Sequence, residues 1–320
     1  MSNNDPDTPK RDKNWFYTDV YGRQNPSLSL APRTSIFKFG TFKDLISNVG
    51  KFLTQNIIFN VIFYTVGIPL FLFFLPGNWI SDQAYLAVHE IVRLICYTIS
   101  VFLIAKVLDD SEITDLGLKI NRRAFHDFLA GLTIVFIVLF IHFMFSLGAG
   151  WIVIQGFAWQ HMSLVGVLGN ILVTFVIFCF VGWSEELLSR GFHFRVFSKG
   201  LNLPLGVILS SLYFSYMHRH PGASFDYFLF IFVGGLTFSF AFLRTGQLWL
   251  AMGLHTGWNF FGILGISEGR IWTLRIFALM DISYVNFPAR HTVIHLFLLA
   301  IITVLIYLYT MNRKPEPLEW

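Results

Sequence analysis

Three polar groups interrupt otherwise apolar helical stretches of this 320-residue chain: Glu185-Glu186-x-x-x-Arg190, Phe214-x-x-x-His218 and His255-x-x-x-Asn259. An ionisable side chain in a membrane-spanning segment costs about 2.5–3.5 kcal/mol on insertion scales, so such residues are functional candidates by default. Glu186 and Arg190 are four apart, so they share a helix face and can pair. Glu185 lies about 100° further round and can address a different cavity. With Arg190 holding Glu186 charged, Glu185 is free to serve as a general base. Imidazole takes or gives a proton near neutral pH, as His218 and His255 would. The Asn259 amide donates hydrogen bonds without carrying charge, which suits an oxyanion hole. Peptide hydrolysis needs an activated water and a donor for the tetrahedral oxyanion, and this set supplies both.

Composition says what must position these residues. The chain is 55% hydrophobic and 13% charged, with 37 Phe, and its mean hydropathy is +0.61. A soluble domain carries about 25% charged residues, so the expected fold class is all-α, a polytopic membrane protein. A membrane span needs about 20 mostly apolar residues. Eight stretches qualify: 57–75, 84–107, 126–147, 163–187, 204–219, 225–243, 247–265 and 291–311. The fourth is expected to continue as an amphipathic extension through Ser198. The catalytic cavity is expected among helices four, five and seven. Glu185 then falls on the cytoplasmic half of span four, whereas His218 falls near the far end of the short span five. Either span five starts inside the bilayer after a re-entrant Leu203-Pro204 turn, or its boundary lies elsewhere.

Around the core, residues 1–35 form a polar arm expected to be disordered. Residues 36–55 read as a basic amphipathic interfacial helix, 56–312 as the transmembrane domain and 313–320 as a cytoplasmic tail. The arm has no apolar run, so no cleavable signal peptide is expected. The stretch 266–290 is expected to be interfacial or re-entrant, and Gly234-Gly235 to permit close helix packing. Of the 23 Lys and Arg residues, 18 fall on one side of the expected membrane topology and 4 on the other, with Arg93 inside span two. The Lys/Arg-rich side faces the cytoplasm, so both termini are expected there. The net charge of +4 therefore reports topology rather than nucleic-acid binding. Cys96 and Cys179 read as inert packing residues.

The three motifs, in this order on successive apolar helices, resemble the CPBP family. That family groups type II CAAX prenyl endopeptidases with bacteriocin-processing or immunity (Abi) proteins. The resemblance covers about 125–265. It implies an intramembrane endopeptidase in which Glu185 and His218 activate water and His255 and Asn259 hold the oxyanion. Glu186 and Arg190 would organise the site, and Phe214 would pack it. The substrate would be a prenylated CAAX-like tail, or a membrane or bacteriocin-like peptide, met among membrane lipids. Two departures stand out: Ser189 replaces the aromatic residue that many members carry before the motif Arg, and the long arm is not required by the family core. Arm and motif variant together point to a bacterial plasma-membrane member.

Other chemistries fit less well. The nearest approach to a zincin motif, His89-Glu90-x-x-Arg93, lacks the second His. There is no Gly-x-Ser-x-Gly elbow, and Asp226 has no intramembrane Asp partner. Glu90 and Arg93 read as a structural i, i+3 pair or an access path. Zinc would find three ligands in Glu185, His218 and His255. The family is often labelled metallopeptidase, but the Glu/His route requires no cofactor and tightly bound zinc is not expected. The competing function classes are a transporter or proton relay, whose inverted repeats are not visible here, and a catalytically silent scaffold. Sequence leaves the oligomeric state open.

Overall fold

A computed structural model describes residues 39–74, 82–262, 280–284, 291–316 and 318. Among these described residues, ten α-helices and two short strands follow in order: α1 Phe42–Ile62, α2 Ile68–Phe74, α3 Asp82–Asp109, α4 Arg122–Gly148, β1 Ile152–Phe157, α5 Leu164–Glu186, α6 Phe194–Gly200, α7 Leu203–Met217, α8 Phe225–Thr245, α9 Trp249–Phe261, β2 Met280–Tyr284 and α10 His291–Thr310. Two wide π turns, Phe63–Gly67 and Leu187–His193, join α1 to α2 and α5 to α6 without a break.

Among the described residues, six helical rods are long and apolar enough to cross a membrane. The protein is thus an all-α polytopic membrane protein, as composition predicts. The eight expected spans resolve into those six rods and two shorter helices, α7 with 15 residues and α9 with 13. His218 ends α7 within the fifth apolar stretch, and a left-handed Gly246 ends α8 just before α9 starts. The helix expected over 36–55 begins at Phe42 and runs on into the expected first span as one rod. The expected disordered arm lies outside the described residues. So does most of 266–290, apart from Met280–Tyr284, which forms β2.

Local chemistry sets the helix starts. Thr41 and Asp44 exchange backbone and side-chain hydrogen bonds in a capping box before α1. Asn121, Ser163, Asn202 and Ser224 each accept a backbone N–H at the N-termini of α4, α5, α7 and α8. Each such cap satisfies a donor that would otherwise be left unpaired.

The helices face in and out as a lipid-exposed bundle should. On α3, Ile91, Ile95, Ile99 and Leu103 are exposed at a spacing of four, while Glu90, Tyr97, Val101 and Ile104 are buried. One core cluster joins Val101 and Ile104 of α3 to Leu187, Leu188 and Phe194, and to Phe242 and Met252. A second joins Val135 and Leu139 of α4 to Ala251 and Leu254 of α9 and Ile302 and Ile306 of α10.

Helix α9 is held at backbone contact on two sides. A Cβ at Gly253 would lie 2.1 Å from the Phe128 carbonyl oxygen of α4, and one at Gly131 would lie 2.6 Å from that of Leu250. On the other side, a Cβ at Gly182 of α5 would lie 2.5 Å from Thr256 Oγ1. Of the Gly234-Gly235 pair, Gly235 makes the close approach, to Ser211 of α7, and Gly234 faces open space.

Strands β1 and β2 pair antiparallel, with an irregularity between Ile154 and Gly156. Strand β1 follows closely on the C-terminus of α4. The tail after α10 folds back. Arg313 pairs with Asp127 of α4, and Glu316 sits near Lys119 and Arg123 while its N–H donates to the Thr245 carbonyl.

Candidate active site

The three motifs meet where α3, α5, α7, α8 and α9 come together. Adjacent in sequence, Glu185 and Glu186 face different partners, as their 100° offset predicts. Glu186 is wholly buried, and its Oε1 accepts from Arg190 Nη1 at 2.9 Å and from His255 Nδ1 at 2.7 Å. Arg190 donates its other terminal nitrogen to the Gly235 carbonyl at 2.9 Å. The guanidinium lies 4.5 Å from the Phe214 ring centre and 5.4 Å from that of Phe238. This cation, 1% exposed, thus has a carboxylate, a carbonyl and two aromatic faces in place of water, the compensation a buried charge requires.

Glu185 turns the other way. Its Oε1 accepts from Arg93 Nη2 of α3 at 2.8 Å. Its Oε2 is buried with no hydrogen-bond partner and lies 3.3 Å from His218 Nε2 and 3.7 Å from His255 Nε2. Both imidazoles are anchored by their far edges. His218 Nδ1 faces the Phe214 carbonyl at 2.8 Å, one turn back, and His255 Nδ1 faces Glu186. Donation from each Nδ1 fixes the tautomer and leaves Nε2 as the reactive edge. Phe214 lies against both rings, 4.4 Å from His218 and 5.9 Å from His255, and Phe238 stacks on His255 at 5.3 Å.

Two Nε2 atoms and one carboxylate oxygen therefore face a common point. With His218 neutral, its Nε2 and Glu185 Oε2 are both acceptors, and a group that offers protons between them is the natural occupant; His255 Nε2 accepts when the ring is neutral and donates when it is doubly protonated. A water molecule does this and emerges polarised. Asn259 follows His255 by one turn on α9 and is half-buried. Its side chain makes no hydrogen bond among the described residues, so its amide donors are uncommitted. The set Glu185, His218 and His255 has the donor chemistry of a zinc site. However, no group of three or more His, Cys, Asp or Glu among the described residues is disposed to hold a metal ion.

The chain path brings Glu185 and His218 together. Gly200 lies fifteen positions after Glu185, and Leu203 fifteen before His218. The rod of α5 and α6 and the returning α7 form an antiparallel hairpin that brings the two side chains level.

Two features escape a sequence reading. Arg93 reads as a structural or access-path residue, yet it contacts Glu185 directly. A hint was its position, a cation in the middle of an apolar span. The second feature is the π turn that carries Arg190. Such turns recur at functional sites, but no residue pattern in Leu187–His193 announces one.

Fold and site together define a polytopic helical membrane protein with a buried Glu/His/Arg centre. Residues 167–261 match the model of the Rce1-like family, described as type II CAAX prenyl endopeptidase Rce1-like. That segment contains all three motifs. No curated protein matches the chain.

Proposed function

We propose that this chain is an intramembrane endopeptidase that uses Glu185 and His218 to activate water. The observation that carries this reading is the convergence of Glu185 Oε2 with the Nε2 atoms of His218 and His255, each group held from behind. Water placed there gives a proton to Glu185 as its oxygen bonds to the scissile carbonyl carbon. The carbonyl electron pair moves to oxygen, where Asn259 and a doubly protonated His255 donate to it. Glu186, beside His255 Nδ1, balances that charge. The tetrahedral adduct collapses, the C–N bond breaks, and the proton held by the Glu185/His218 pair passes to the leaving amine. Protein groups and water complete the cycle.

The substrate is a peptide or protein that reaches the site from the membrane or its cytoplasmic face. The family match favours lipidated C-terminal tails; the wider CPBP resemblance adds membrane and bacteriocin-like peptides. The Lys/Arg asymmetry supports cytoplasmic termini.

The test is cleavage of prenylated and unprenylated peptides by purified protein, with wild type beside Glu185→Gln, which keeps shape and removes charge. The expected loss in kcat is about 100- to 10,000-fold, the usual worth of acid–base catalysis. Full cleavage by a folded Glu185→Gln enzyme sinks the assignment. Loss with a chelator, restored by zinc, would move the chemistry to a metal.

A further inference from the structure

Two adjacent buried carboxylates at one site need two cations, and the structure supplies them from different helices. Arg190, on the same rod, is consumed by Glu186 and the Gly235 carbonyl. Glu185 depends instead on Arg93, 92 positions earlier. Arg93 is itself held: Nη1 donates to both oxygens of Glu90 at 3.1 Å, and the guanidinium lies 5.6 Å from the Tyr97 ring centre. Behind it, His89 Nδ1 lies 2.9 Å from Glu90 Oε1. Glu90 is 5% exposed, a second buried carboxylate one turn from Arg93, and it ties that guanidinium to α3 rather than to water.

We propose that Arg93, braced by Glu90, is the positioning residue of the catalytic carboxylate, taking Oε1 of Glu185 so that Oε2 alone faces the imidazoles. The inference rests on the reading of Glu185 as the base. A carboxylate on a helix can rotate about its terminal torsion and offer either oxygen. Clamping one oxygen from the α3 side selects a single rotamer and a single basic edge. The clamp needs a planar fork, because the same cation must reach Glu90 with one nitrogen and Glu185 with the other. An ammonium supplies charge but not that two-ended geometry.

The experiment compares kcat and KM of wild type, Arg93→Ala, Arg93→Lys, Glu90→Gln and Glu185→Gln in folded, purified protein. Misplacement of a reacting group by about 1 Å costs about 100-fold. Arg93→Ala is therefore expected to lose about 100-fold in kcat with KM little changed. Arg93→Lys recovers a minor part, and Glu90→Gln gives a smaller fall of the same kind. Added methylguanidinium is expected to restore activity to Arg93→Ala and not to Glu185→Gln, a response that a merely structural arginine would not give. Wild-type kcat in Arg93→Ala, with Glu185→Gln inactive, overturns the inference and spares the reading of Glu185. Full activity in Glu185→Gln overturns both. Should Arg93→Ala fail to fold, Arg93→Lys carries the test, and undiminished kcat there rejects the positioning role.

Discussion

At the scale of residues, the site separates roles by anchoring. Glu186 accepts from two donors at Oε1 and serves as a fixed point for His255 and Arg190; Glu185 keeps one oxygen tied and one open. Asn259 is set apart by an amide with no hydrogen bond among the described residues. If it donates to the oxyanion, Asn259→Ala should lower kcat by about 100- to 1,000-fold, as loss of one such donor does, with KM nearly unchanged. A rise in KM alone would make it a substrate-binding residue instead. The three motifs and the divergence of the two glutamates are legible from spacing, because helix geometry fixes both. The Arg93–Glu185 pair is not legible, since it spans 92 positions and two other carboxylates, Glu90 and Glu186, compete for the same cation on paper. The anchoring of His218 to a backbone carbonyl is also invisible, because every helix offers such carbonyls.

At the scale of elements, the accuracy of the site depends on α9, which carries His255 and Asn259 between α4 and α5. Gly253-x-x-x-Gly257 lines the α4 contact, with Gly257 against Leu132 and Val135. This is the small-residue pattern that lets membrane helices approach closely. A methyl group at Gly253 meets the Phe128 backbone and has no flexible neighbour to displace. Gly253→Ala is expected to destabilise the protein by about 1–3 kcal/mol, the cost of overpacking, and to reduce cleavage by shifting His255. Thermal unfolding in detergent beside the activity assay checks this; an unchanged midpoint would show that α4 and α9 tolerate separation. Helix positions were readable because apolar length and turn residues set them. The merging of 42–74 into one rod was not, since basic residues near Lys38, Lys43 and Lys51 suit both a surface helix and the end of a span.

At the scale of the whole molecule, a web of ions and tail contacts ties the end of the bundle where the third helix finishes and the fourth begins. Asp127, with its side chain 1% exposed, takes Arg313 and the Tyr309 hydroxyl. Arg313→Ala leaves that carboxylate, among the described residues, with Arg123 as its one cation, at 4.0 Å, and should cost about 1–3 kcal/mol, read as a lower unfolding midpoint with kcat intact. A fall in kcat at unchanged stability would instead couple the tail to the site. On the site side of the same end, Asp109 gathers Lys51 and Lys199, and Arg195 donates to Ser111 at 2.7 Å. These contacts dock the far half of the rod whose near half bears Glu185. A uniformly wound helix transmits its phase along its whole length: once the direction of Glu185 is chosen, the direction of Arg195 follows. The wide turn between them breaks that rule. It acts as a coupling in a drive shaft, letting one continuous rod aim its reactive half and its docking half separately, so changes that refine the grip at Asp109 need not turn the glutamate away from its histidines.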